Sequence, residues 1–155
     1  MNDLVEIVSR NSESIRKEWI AEMPDGVKRP DLMSKTELDE QCRSVLDAIL
    51  AGIRNSGLTD TSAPGWEPAR ELLMEISASR ARQGFSPVDV ATFVLSLKQP
   101  IFSAVRNALG KDQEKLFETV WAATELIDRL ALITTQSFMA AREELIVRQQ
   151  QELLE

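Results

Sequence analysis

Between Asp112 and Glu155 the chain contains no glycine and no proline. Nothing in those 44 residues stops a helix. A helix of that length reaches about 66 Å at ~1.5 Å per residue. The remaining ~110 residues would fold into a domain with a radius of gyration near ~13 Å. A continuous last helix therefore overhangs its own domain. The expected division is a domain at 1–141 and the start of a helical linker at 142–155, REELIVRQQQELLE, leading to a further C-terminal domain.

Two adjacent apolar seams run along this helix. One is Phe117, Val120, Thr124, Ile127, Ala131, Thr134, Phe138, Ala141 and Leu145; the other is Leu116, Thr119, Ala123, Leu126, Leu130, Ile133, Ser137 and Ala140. Two seams call for two packing partners, and a second copy of the chain is the simplest addition to the helix's own domain. The residues expected at that dimer and signal contact are Val120, Ile127, Leu130, Thr134, Phe138, Ala141 and Leu145.

Upstream, the patterns are helical throughout and no strand alternation appears, so the expected class is all-α with five principal helices. Leu4, Val8, Ile15 and Trp19 predict a first helix over about residues 3–22, ended by Pro24-Asp25-Gly26. Ser34 or Thr36 caps a second helix with the stripe Leu38, Cys42, Val45, Leu46, Ile49 and Ile53, stopped at Asn55-Ser56-Gly57. A third runs from about Trp66 to Gln83 with Trp66, Ala69, Leu73 and Ile76 inward. Gly84 closes it, and Ser86, Pro87 and Asp89 supply cap, first position and favourable charge for a fourth. The fourth is apolar nearly all round (Val88, Val90, Ala91, Phe93, Val94, Leu95, Leu97) and is expected to be the buried central helix. Pro100 should kink it near Lys98–Gln99, with Ile101, Phe102, Val105 and Leu109 continuing the stripe.

Composition excludes more chemistry than it suggests. There is no histidine, which removes the usual general base, haem ligand and most zinc and di-iron sites. No P-loop, GxGxxG, GxSxG, CxxC or HExxH motif occurs. The expectation is therefore no catalytic residue, no metal and no cofactor. The single Cys42 lies on an inward stripe and reads as a small buried hydrophobe rather than a nucleophile. Trp19, Trp66 and Trp121 read as core or interface anchors. A net charge of −7 argues against nucleic acid. An acidic N-terminus, one cysteine and no apolar run judged long enough to span a membrane lead to a cytoplasmic expectation. Arg80 and Arg82, in the last turn of the third helix, are explained by the helix dipole. An anion site between them and the amide end of the next helix is the sharper alternative.

The stretch Glu71 to Pro87, with Arg80, Gly84, Ser86 and Pro87 at its centre, resembles the N-terminal domain of the RsbR-type proteins. So does Ile15-x-x-x-Trp19 in the opening helix, together with the long last helix. RsbR-type proteins are co-antagonists of the switch kinase RsbT and build the bacterial stressosome. The resemblance implies a globin-like fold without haem, a homodimer, and a helical linker to a C-terminal STAS domain. Through that domain the protein would work with a STAS-only scaffold and an RsbT-like kinase. The expected function is thus a non-enzymatic sensory and scaffolding domain, with no nucleic acid or membrane as partner. An alternative is a sensor that binds a fatty-acid-like molecule where haem is missing, lined by Ile49, Phe93, Val94, Leu97 and Phe102, and possibly feeding another output domain.

Overall fold

The computed structural model describes residues 2–154 and is all-α; no strand occurs among the described residues. The helices are α1 (Asn2–Arg10), α2 (Ser12–Glu22), α3 (Asp25–Lys28), α4 (Lys35–Ser56), α5 (Glu67–Arg82), α6 (Pro87–Leu95), α7 (Lys98–Leu109) and α8 (Gln113–Leu154), with a 3₁₀ turn at Pro64–Trp66 before α5. α8 lies along α5, α6 and α7, while α4 packs on α1, α2, α5 and the 3₁₀ turn. The apolar stripes read from the sequence meet in the middle. Leu4, Val8, Ile15, Trp19, Leu38, Cys42, Leu46, Ile49, Trp66, Leu73 and Ile76 are all buried there.

The predicted first helix is divided at Asn11, whose amide Nδ2 donates to Ile7 O at 2.7 Å. Asn competes for backbone partners in this way, which is why it interrupts helices. The turn chemistry after Glu22 holds the short α3, so the segment is a folded strap and not an open loop. Ser34 is the cap of α4 and accepts from Glu37 N at 3.1 Å.

The predicted central helix is two helices. The break falls at Ser96–Leu97, two residues before the expected Lys98–Gln99, because the ring of Pro100 conflicts with the carbonyl four residues back. Leu97 N turns to Val94 O at 3.1 Å, and this leaves the Phe93 carbonyl for another donor. Trp19 Nε1–H supplies it at 2.8 Å, with its ring tilted on Phe93 at 5.2 Å.

Burial of α6–α7 is one-sided. Val90, Phe93, Val94, Leu97, Ile101 and Val105 are inside, but Val88, Leu95 and Phe102 lie on the exposed side. The expectation that no apolar run could span a membrane also needs correction. Pro87–Leu109 is 23 residues long and holds an 18-residue window of mean hydropathy 1.3, enough to cross a membrane by length and composition alone. It is broken in the middle, and its inner face is occupied by the core.

Gly52 sets how closely α4 meets the 3₁₀ turn. A Cβ there would stand 2.5 Å from the Trp66 ring, and that ring is completely buried.

Candidate functional site

The RsbR-like motif builds the corner between α5 and α6. Gly84 has φ +86°, a conformation that costs glycine little. Phe85 N–H donates to Arg80 O at 3.1 Å and Gly84 N–H to Ala81 O at 3.3 Å, which is the paired closure of a Schellman C-terminus. Ser86 then begins α6. Its Oγ accepts from Asp89 N at 3.1 Å, and Asp89 Oδ2 accepts from Ser86 N at 2.9 Å. Pro87 takes the first helical position, where it needs no N–H.

This geometry overturns the dipole reading for Arg80 and the anion site with it, while Arg82 stays in the last turn of α5 where that reading put it. Arg80 does not sit at the surface completing a helix dipole; it is 1 % exposed. Arg82 is exposed, so the two do not converge. The amide end of α6 is already closed by the Asp89 carboxylate, and no anion site forms between them. The Arg80 guanidinium lies between two rings, 4.9 Å from the Phe85 centroid and 4.4 Å from that of Phe93. Its Nη2 donates to Gln41 Oε1 at 2.6 Å and its Nη1 to Val27 O at 3.4 Å; Nε has no partner. None of these partners is a carboxylate. Burial pushes the Arg80 pKa down to about 10, which leaves it charged at neutral pH. The flat guanidinium suits this slot because it stacks on aromatic faces and is less strongly hydrated than an ammonium. Its position in a last turn hid this role in the sequence. The one available signal was the pair of phenylalanines placed five and thirteen residues downstream.

Cys42 is buried beside this corner, and burial raises its thiol pKa to about 12. It is therefore a neutral thiol at physiological pH. Among the described residues no group of three or more His, Cys, Asp and Glu side chains could hold a metal ion.

The residues expected to line a ligand pocket do not enclose one. Ile49 and Leu97 border a narrow space of about 10 Å³ together with Leu46, Ile101, Leu126 and Ile127. That is room for about one water molecule, not a fatty acid. Phe93 and Val94 are buried outside its lining, and Phe102 is 37 % exposed.

α8 is unbroken from Gln113 to Leu154, including Gln136–Ser137, and spans about 63 Å at ~1.5 Å per residue. Asp112 caps it, accepting from Lys115 N at 3.2 Å. Of the seven residues expected at a dimer contact, Ile127, Leu130, Thr134 and Phe138 are buried within this chain and have no surface to offer another copy. Val120, Ala141 and Leu145 are half-buried. Two adjacent seams together cover an arc of roughly 100°, the breadth of one ordinary core-facing stripe, so a single domain accounts for both.

The outward apolar row is Phe117, Trp121, Leu132, Met139, Ile146 and Leu153, all exposed; Phe117, expected on the first seam, is 70 % exposed and belongs to this row instead. Steps of four, eleven and seven residues keep them on one face. The Phe117 and Trp121 rings stack at 6.4 Å in open solvent. From Arg142 onward every described residue except Leu145 is exposed, so the end of α8 projects from the body.

Neither the curated proteins nor the solved structures contain a match to this chain. The family described as the RsbT co-antagonist protein rsbRD N-terminal domain matches residues 12–153, from α2 through nearly all of α8, and the chain belongs to that family.

Proposed function

We propose that this chain is the non-enzymatic sensory and scaffolding domain of an RsbR-like stressosome regulator. In this reading residues 1–141 form a haem-free, globin-like body, and 142–155 begin a helical linker to a C-terminal STAS domain. Two copies pair through the outward row of α8, in the cytoplasm. A change at the body alters the crossing or phase of the paired helices, and the STAS domains alter their hold on an RsbT-like kinase. The observation that carries this is α8 itself. One 42-residue helix is both the main packing element of the body and the projecting element beyond it. The body cannot shift against α8 without moving what α8 is attached to.

Helical phase provides the test. In a chain joined to an RsbR-type STAS domain, one alanine inserted after Arg142 rotates everything beyond it by about 100°, whereas seven restore the phase to within about 20°. Kinase capture should be disturbed by the single insertion and largely recovered by the seven. Equal capture by both would show that the helix is a tether and not a signalling element.

A further inference from the structure

Among the described residues, three buried side chains are polar or charged: Ser77, Arg80 and Thr134. Ser77 and Thr134 meet where α5 packs on α8, whereas Arg80 turns toward α3, α4 and the Phe85 and Phe93 rings. On α8 the buried residues of the main core end at Ala131, with Ile133 partly buried against them. The next buried apolar residue is Phe138, which belongs to a small second cluster with Phe85 and Val90. Thr134 is the polar step between them.

The hydrogen bonding at this step has a built-in choice. Ser77 Oγ lies 2.7 Å from Leu73 O in its own helix and 3.0 Å from Thr134 O in α8. A hydroxyl carries one proton and donates fully to only one acceptor. The α8 backbone is softened at the same level. Thr134 Oγ1 donates to Leu130 O at 2.7 Å and Thr135 Oγ1 to Ala131 O at 2.8 Å. Such back-bonding competes with the helix ladder and favours bending.

We propose that the Ser77 hydroxyl is a two-position clasp on α8. Donating to Thr134 O, it holds the helix against α5. Donating to Leu73 O, it releases the segment that carries Phe138 and the projecting end. Ser77 is thus a positioning residue that regulates the exit of α8, and the proposal rests on the reading of α8 as the output element. A movement of α5 of a few tenths of an ångström along α8 changes which acceptor is nearer.

Residue-resolved amide hydrogen exchange on the whole chain, parent against Ser77→Ala, tests this. Alanine fits the same space and strands no carbonyl, since Leu73 O and Thr134 O keep their own helical donors. The amides of Phe138 to Arg142 should exchange about five- to tenfold faster in the variant, the ratio for loss of one net hydrogen bond. Those of Ala123 to Leu130 should be unchanged. No change anywhere would overturn the clasp. So would one common factor along all of α8, which marks a general loss of stability. The exchange pattern decides the clasp in either oligomeric state, whereas a monomeric parent in light scattering would count against the output reading alone.

Discussion

Gly52→Ala sets two effects of opposite sign against each other. In the middle of a helix alanine is better than glycine by about 1 kcal/mol, so propensity alone predicts a more stable protein. The packing predicts the reverse. A Cβ at position 52 would stand 2.5 Å from Cδ2 and Cε3 of Trp66 and 2.7 Å from Cζ3. Carbon atoms meet favourably near ~3.5–4.0 Å, so about 1 Å has to be found. The indole cannot yield it freely. It is fully buried, and its Nε1–H donates to Gly57 O at 2.8 Å. Overpacking of this kind costs about 1–3 kcal/mol, and a lost hydrogen bond about 1 more. After the propensity gain, the net destabilisation is about 1–3 kcal/mol. For a domain of this size that lowers Tm by roughly 2–4 °C per kcal/mol. Denaturant unfolding followed by tryptophan fluorescence, with calorimetry alongside, measures it. A Tm equal to or above that of the parent would show that propensity prevails over the Trp66 contact.

Two further predictions concern the buried corner. Arg80→Ala removes both ring stacks and the donors to Gln41 and Val27, and should cost about 3–5 kcal/mol. Arg80→Met, which fills much of the volume without the charge, should recover part of this; a methionine variant as stable as the parent would mean the ring stacking adds nothing net. For Cys42, burial raises the thiol pKa from 9.0 to about 12, so the folded state keeps a proton that the unfolded state loses. Its contribution is complete below pH 9 and fades by about 1.4 kcal/mol per pH unit between 9 and 12. Denaturation curves of the parent and Cys42→Ala should differ by a constant below pH 9 and converge above it. A difference that does not change with pH would contradict the burial argument.

The parts of the fold legible in the sequence are those that one helix decides by itself. The α4 stripe, the caps at Ser34 and Ser86 and the Gly84 closure depend on residues within a turn or two of each other, and all stand as expected. What was not legible depends on neighbours distant in the chain. Arg80 reads as a C-terminal charge until Phe85 and Phe93 come together around it. Gly52 looks like a weak point in a helix until Trp66 rests on it. On α8 the periodicity marked apolar rows correctly but not which arc faced inward. With two adjacent seams absorbed by α5, α6 and α7, the row at Leu132, Met139, Ile146 and Leu153 was left outside. The break at Ser96–Leu97 lies two residues before the expected place because the steric effect of Pro100 acts on the carbonyl behind it.

In the proposed dimer the outward row of α8 meets the same row of a second copy. Light scattering on the parent and on a Leu132→Glu, Met139→Glu double variant tests it most directly. Both substituted residues are exposed, so the body should keep its helicity and its melting transition. The proposed pairing gives twice the mass of one chain for the parent and a single chain for the variant. A parent that is already monomeric at micromolar concentration, or a double variant that remains dimeric, would contradict it.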